Sequence, residues 1–201
     1  MIKPQLIFVV GCNAAGKSTF IRSRLNELTG FEIIMADVYK GRTNELFLRS
    51  FKKKKNIIVE TVFNDESYKN MVDIAKNAGY QTSLVVLFLD NVEESNQRVA
   101  IRSLQQSGLN ISGSNVTINF NESFKNVANY YFYFDTSDFI YTGRGGENLN
   151  IMQFKKGNLI FYKRNNLQYP QKFAQFGSSN RRLNEDANQI ITNNVDYSFL
   201  A

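Results

Sequence analysis

The chain has 201 residues, of which 43% are hydrophobic and 21% charged, a composition typical of one globular domain or one domain with a small addition. Its single cysteine excludes an intrachain disulfide, and the absence of histidine excludes Ser-His-Asp and Cys-His catalysis and histidine metal sites. The net charge of +6 fits either a nucleic-acid partner or an anionic nucleotide substrate.

Strand-like and helix-like patterns alternate over the first 140 residues. We predict strands at residues 6–10, 32–35, 56–60, 83–89 and 130–134, and helices between them at residues 18–28, 43–54, 67–78 and 93–106. The strands are nearly continuous in apolar residues, which indicates burial on both faces. The sequence therefore predicts a doubly wound α/β fold with a mainly parallel five-stranded sheet.

The pattern changes after residue 134. Residues 151–154 and 159–162 predict a small C-terminal β-hairpin, with its turn at Gly157-Asn158. The asparagine- and glutamine-rich segment from residue 164 onward is interpreted as a poorly specified tail. We therefore predict a kinase-like domain at residues 1–163 and a tail at residues 164–201.

The first strand leads into a phosphate-binding loop. Its residues fit the Walker A pattern G-x-x-x-x-G-K-[ST] and lie between a strand and a helix, as that chemistry requires. We expect it to bind ATP through backbone N–H groups, with Lys17 reaching the β- and γ-phosphates and Ser18 binding Mg²⁺. The residues predicted to contact the nucleotide are Gly11, Asn13, Ala14, Ala15, Gly16, Lys17, Ser18 and Thr19. Cys12 is either a reactive thiol at a helix N-terminus or a tolerated small residue.

Two carboxylates follow later strands. Asp37 comes after the second strand and is expected at the carboxyl edge of the sheet, where it could accept a proton from an attacking hydroxyl; the alternative is an N-cap. Glu60 ends the third strand and is the expected partner of Ser18 around Mg²⁺. It could instead contact the acceptor substrate, or be an exposed strand-end carboxylate.

Basic residues occur in two groups. Arg98 and Arg102 share one face of a predicted helix and could neutralise charge on a transferred phosphoryl group; the alternative is pairing with Glu94 or other surface carboxylates. The run of four lysines at residues 52–55 is either a solvated helix end or an anion-binding patch.

These features together resemble the zeta-toxin family of phosphate-loop kinases. The resemblance rests on residues 11–20, on Met35-Ala36-Asp37, on Glu60-Thr61 and on residues 95–102, and extends to the strand end expected at residues 134–137 and to the hairpin. It implies Lys17 and Ser18 for ATP and Mg²⁺, and Asp37 as general base. It also implies Glu60 and Thr61 near the acceptor, and Arg98 and Arg102 as charge stabilisers.

The resemblance implies a function and partners. Members of known activity phosphorylate a hydroxyl of UDP-N-acetylglucosamine, so a nucleotide sugar is the expected acceptor and an antitoxin protein an expected partner. Residues 107–111 depart from the family pattern, and Ile118-Asn119-Phe120-Asn121 stands where relatives have an arginine-rich segment. The prediction is an ATP-dependent small-molecule kinase; the alternatives are a nucleotide-binding regulatory or toxin–antitoxin protein and a polynucleotide kinase.

The expected location follows from what the sequence lacks. No apolar run approaches the roughly 20 residues that a membrane helix needs, and no cleavable signal pattern precedes the first strand. We therefore expect a cytoplasmic protein with no membrane partner, and we do not expect nucleic acid as its main ligand.

Overall fold

The computed structural model describes residues 3–39, 41–105, 111–143 and 147–199. They form one eight-stranded sheet in the order β2-β3-β1-β4-β5-β6-β7-β8. The strands are β1 Gln5–Val10, β2 Phe31–Met35, β3 Asn56–Thr61, β4 Gln81–Phe88, β5 Thr136–Tyr141, β6 Leu149–Lys155, β7 Asn158–Tyr162 and β8 Tyr197–Ser198. The first five strands pair in parallel and the last three antiparallel, which confirms the predicted α/β fold with C-terminal strands added.

Helices connect and flank these strands. They are α1 Lys17–Arg22, α2 Ala36–Tyr39, α3 Thr43–Lys52, α4 Tyr68–Asn77, α5 Val92–Gln105, α6 Gly113–Tyr130, α7 Gln168–Ser179 and α8 Glu185–Thr192. The predicted first helix is too long, because α1 ends at Arg22 and a series of turns leads to Gly30. None of the helices in the described ranges has the length and apolar character needed to span a membrane.

The two faces of the sheet bury separate hydrophobic clusters. Successive residues of β1 alternate between them, since Phe8 and Val10 belong to one cluster and Val9 to the other. Helices α3, α4, α6, α7 and α8 contribute to the larger cluster, and α1 contributes Ile21 to the smaller one. The central strands are thus buried on both faces, as their continuous apolar sequences indicated.

The predicted strand at residues 130–134 is wrong. Tyr130 ends α6, and Tyr131–Tyr133 form a 3-10 turn. Tyr131 is fully buried and donates a hydrogen bond from its hydroxyl to Arg182 O at 2.7 Å. Aromatic residues favour strands in general, but here the aromatic run continues a long helix whose buried face determines its conformation.

The true fifth strand, β5, begins after this turn. Asp135 precedes it and accepts hydrogen bonds from Thr82 N at 2.8 Å and Thr82 Oγ1 at 3.0 Å, next to the start of β4. Residues 134–137, expected at a strand end, therefore lie at the amino end of β5. They are at the edge of the sheet opposite the phosphate loop.

The predicted hairpin is present as β6 and β7, but its turn lies one residue earlier than expected. Lys156 and Gly157 occupy the two turn positions with φ values of +50° and +79°. Positive φ at both positions is characteristic of a type I′ turn, which matches the twist of the flanking strands.

The C-terminal segment is ordered, and the prediction of a poorly specified tail is wrong for residues 164–199. Phe173 and Ala174 of α7 and Ile191 of α8 are fully buried in the larger cluster, and β8 pairs with β7. Asn184 caps α8 by accepting a hydrogen bond from Ala187 N at 2.8 Å. The domain boundary at residue 163 stays a prediction.

Candidate functional site

The phosphate-binding loop joins β1 to α1 at the carboxyl edge of the parallel strands. Val10, the last residue of β1, pairs with Thr61 and Val86, so the ends of β1, β3 and β4 meet there. A Cβ added to Gly11 would lie 2.0 Å from Leu87 O, so only glycine fits at this close approach of two backbones. The loop therefore occupies the position where doubly wound folds bind their ligands.

Side chains from outside the loop hold its backbone carbonyls. Ser95 Oγ of α5 donates to Asn13 O at 2.8 Å, and Thr142 Oγ1, after β5, donates to Ala15 O at 2.9 Å. Arg98 Nη1 lies 3.5 Å from Ala14 O. These contacts hold three successive peptide units of the loop, at Asn13, Ala14 and Ala15.

Lys17 lies across the loop that it belongs to. Its side chain is buried, and Nζ donates to Gly11 O at 2.9 Å and Cys12 O at 3.0 Å. Burial lowers the pKa of Lys17, while the negative charges of Glu60 and Asp37 oppose that shift. The lysine is thus a desolvated cation with carbonyl partners that phosphate oxygens could replace.

Ser18 and Glu60 form a second contact at this edge. Ser18 Oγ donates to Glu60 Oε1 at 2.9 Å, and Glu60 is only 6% exposed, which excludes an exposed strand-end carboxylate. Burial raises the Glu60 pKa, whereas the Ser18 hydrogen bond and the Lys17 charge act to lower it. Glu60 Oε2 is one of two buried side-chain oxygens in the described ranges that lack a hydrogen-bond partner.

This oxygen pair fits Mg²⁺. A hydroxyl and a carboxylate are hard oxygen ligands, and Mg²⁺ commonly takes one or two such protein ligands together with phosphate oxygens and water. Among the residues that the structure describes, no group of three or more Cys, Asp or Glu side chains could hold a metal without such help. The Ser18–Glu60 pair therefore has the chemistry of a partial Mg²⁺ ligand set, to which phosphate oxygens and water could be added.

Asp37 lies in the first turn of α2, directly after β2, and its side chain is exposed. Burial is the main cause of the shifted pKa values of Lys17, Glu60 and Tyr68, and the Asp37 charge acts on all three, in each case raising the pKa. Because Met35 at the end of β2 pairs with Glu60, Asp37 lies two residues further along at the same edge of the sheet, in an exposed position.

The two arginines of α5 occupy different environments. Arg98 Nη2 donates to Thr142 O at 2.5 Å and Gly143 O at 2.6 Å, so its guanidinium ties the segment after β5 to the phosphate loop. It does not pair with Glu94, which accepts hydrogen bonds from the Tyr141 hydroxyl and Asp90 N. Arg102 is exposed, and its charge acts to lower the pKa of Lys17.

Three residues at this edge were not predicted from the sequence. Tyr68 packs its ring against Phe8 and Phe63, and burial raises the pKa of its hydroxyl, with the Asp37 charge acting in the same direction. Its signal was weak, since an aromatic residue near a helix start usually indicates packing. Asn64 and Asn119 are linked by a hydrogen bond, and Asn119 also contacts Asn13 of the loop. No local pattern connects them, because they are 55 residues apart.

Burial and exposure favour one of the two interpretations given above for Cys12 and one of the two for the lysine run. Cys12 is buried and its thiol pKa is raised by that burial, which opposes formation of a reactive thiolate. The lysine run begins at Lys52, the last residue of α3, and all four of its positions are exposed, with Lys55 Nζ 3.7 Å from Glu32 Oε2. This is the geometry of a solvated helix end.

The sequence matches the family model described as zeta toxin over residues 40–151, which is more than half of the chain. The matched residues include Glu60, Thr61, Arg98 and Arg102 and begin after the phosphate loop and Asp37. A comparison with curated proteins found no match.

Solved structures share the fold. The PezAT chromosomal toxin–antitoxin system of Streptococcus pneumoniae matches with a TM-score of 0.52 and 19% identity, covering 74% of this chain and 72% of that chain. The AvrRxo1-ORF1:-ORF2 complex with ATP matches with a TM-score of 0.58 and 12% identity over 98% and 78% of the two chains. The Pnkp1/Rnl/Hen1 RNA repair complex matches with a TM-score of 0.51 and 22% identity over 61% and 45%.

Proposed function

Because this chain belongs to the zeta toxin family and is a P-loop kinase-like protein, we propose that it transfers the γ-phosphoryl group of ATP to a hydroxyl group of a small molecule. The observation that carries the proposal is the convergence of Lys17, the Ser18–Glu60 pair and Asp37 at one edge of the sheet. Phosphoryl transfer needs a phosphate cradle, a metal ligand and a base for the acceptor hydroxyl, and this set supplies all three.

The nucleotide would be held by the phosphate loop. Backbone N–H groups of residues 11–19 and the α1 N-terminus would bind the phosphates, and Lys17 would exchange its two carbonyl partners for phosphate oxygens. Ser18 and Glu60 would hold Mg²⁺, which would neutralise charge on the phosphates. The unpartnered Glu60 Oε2 supports this assignment, because a cation would satisfy a buried oxygen that has no hydrogen-bond partner.

Asp37 would act as the general base. The acceptor hydroxyl would lose its proton to the Asp37 carboxylate as its oxygen bonds to the γ-phosphorus, and the bond from that phosphorus to the β–γ bridging oxygen would break, releasing ADP. Thr61, the last residue of β3, would contact the acceptor, and Tyr68 would help to position it from its place against Phe63. Arg102 and Arg98 would stabilise the transferred charge, Arg98 from its position beside Ala14 O.

A nucleotide sugar such as UDP-N-acetylglucosamine is the acceptor that we propose, because the family resemblance implies it. We also propose that the protein acts in the cytoplasm, where ATP is available, and that an antitoxin protein restrains it. The likeness to the PezAT toxin–antitoxin system supports this partner.

The test separates binding from transfer. Calorimetric titration with ATP and Mg²⁺ should give binding that Lys17→Ala weakens strongly, and γ-labelled ATP should label a nucleotide sugar with the wild-type protein. Binding without labelling of any nucleotide sugar, nucleoside or oligonucleotide would favour a regulatory nucleotide-binding protein. Labelling of an oligonucleotide alone would favour a polynucleotide kinase.

A further inference from the structure

A chain of three asparagine side chains crosses the site from the phosphate loop to the loop that follows β3. Asn119 Nδ2 of α6 donates to Asn13 Oδ1 at 2.9 Å, and Asn64 Nδ2 donates to Asn119 Oδ1 at 2.8 Å. Asn13 is 8% exposed, and Asn64 is exposed. The Asn119 carboxamide thus uses its donor on one loop and its acceptor on the other.

Each partner of Asn119 lies in backbone that is already constrained. Asn13 is held by Ser95 Oγ on its carbonyl at 2.8 Å. Asn64 follows Phe63, a non-glycine residue with φ of +62°, a conformation that costs free energy and persists only where surrounding contacts impose it. A buried contact from α6 supplies that support, because Asn126 Nδ2 donates to Phe63 O at 3.0 Å.

Helix α6 therefore fixes the loop after β3 at two points two turns apart on the helix. The inner contact, from Asn126, goes to backbone and is buried, as expected for a structural support. The outer contact, from Asn119, goes to side chains at the mouth of the site, and its second bond reaches the phosphate loop. The hydrogen bonds of Asn119 are not needed to pack the hydrophobic core, since Asn64 is exposed.

We propose that Asn119 is a positioning residue of the kinase site, which couples the phosphate loop to the loop carrying the acceptor-side residues. The inference rests on the proposed function and deepens it. By orienting the Asn13 carboxamide, Asn119 pre-arranges the nucleotide loop, and by holding Asn64 it keeps the segment after Thr61 in place. Preorganisation of this kind increases affinity by lowering the ordering cost of binding.

The test uses ATP affinity, which requires no knowledge of the acceptor. Calorimetric titrations with ATP and Mg²⁺ compare the wild type with Asn119→Leu, which has similar size without polar atoms, and with Asn121→Ala, an exposed control on the same helix. We expect Asn119→Leu to weaken ATP binding about fivefold, the effect of one lost hydrogen bond, and Asn121→Ala to leave it unchanged.

A double-mutant comparison separates coupling from a structural role. Asn64→Ala should weaken ATP binding about threefold in the wild-type background and have no effect in the Asn119→Leu background, because its contact to the phosphate loop runs through Asn119. Equal effects of Asn64→Ala in both backgrounds, or an ATP affinity of Asn119→Leu equal to that of the wild type, would overturn the proposal.

Two further outcomes are informative. If circular dichroism shows that Asn119→Leu does not fold, Asn64→Ala alone decides, and wild-type ATP affinity in that variant rejects the coupling. If the wild type itself binds ATP no better than Lys17→Ala, the proposed function fails rather than the role of Asn119.

Discussion

Replacing Glu60 by glutamine should stabilise the nucleotide-free protein and weaken its response to Mg²⁺. The Glu60 side chain destabilises the folded state, because it is 6% exposed and its Oε2 has no hydrogen-bond partner. Glutamine keeps the size of the side chain and can still accept the Ser18 hydrogen bond. It removes the buried negative charge, which is the most destabilising part of the arrangement.

The magnitude follows from the unsatisfied oxygen. A buried polar atom without a partner costs about 1–3 kcal/mol, and glutamine retains part of that cost through its own amide group. We therefore expect Glu60→Gln to raise the free energy of unfolding by roughly 1 kcal/mol, which corresponds to an increase in Tm of about 2–4 °C for a protein of this size.

The pH dependence has a defined sign. Burial raises the Glu60 pKa above its ordinary value of 4.5, so the native state binds this proton more tightly than the unfolded state. Its contribution to stability is complete below the unfolded pKa and is lost as the pH rises through the raised native value. The gain from Glu60→Gln should therefore be larger at pH 7 than at pH 4.

Thermal unfolding in EDTA and in Mg²⁺ with ATP measures both effects. ATP with Mg²⁺ at about 100 times its Kd should add about 2.7 kcal/mol to the free energy of unfolding of the wild type. The part of this stabilisation that depends on Mg²⁺ should disappear in Glu60→Gln. Glu27→Gln, at an exposed position, is the matched control. A lower Tm of Glu60→Gln in EDTA, or an undiminished effect of Mg²⁺, would refute the reasoning.

Three other substitutions test separate parts of the site. Asp37→Asn should leave ATP affinity unchanged in calorimetry and slow transfer by about 10²–10⁴-fold; a wild-type rate would show that Asp37 is not the base. Arg98→Ala should lower the free energy of unfolding in urea by roughly 2–4 kcal/mol, because the Thr142 and Gly143 carbonyls lose a charged donor, and a loss below about 0.5 kcal/mol would contradict that role. Gly11→Ala should abolish ATP binding, since its Cβ would lie 2.0 Å from Leu87 O; retained binding in a titration would count against this backbone contact.

The parts of the fold that could be predicted have strong local signals. Strands β1 to β4 are short apolar runs, and the phosphate loop is a continuous motif whose spacing is set by backbone geometry. Asp37 and Glu60 could be placed near it because parallel strands end at a common edge. These predictions needed only the order of the elements.

The parts that could not be predicted depend on contacts between distant segments. The aromatic run before Asp135 has the composition of a strand, but α6 extends into it and buries Tyr131. Helices α7 and α8 are rich in amide side chains, and their apolar faces become evident only when they pack on the sheet. The Arg98 contacts depend in the same way on the path of the chain after β5.

The central claim is that this site transfers a phosphoryl group, and one labelling experiment tests it most directly. Wild type, Lys17→Ala and Asp37→Asn would be incubated with γ-labelled ATP, Mg²⁺ and a panel of nucleotide sugars, nucleosides and oligonucleotides. We predict a labelled nucleotide sugar with the wild type and none with either variant, although Asp37→Asn still binds ATP. Equal labelling by the wild type and both variants, or no labelled product with a wild type that binds ATP, would contradict the claim.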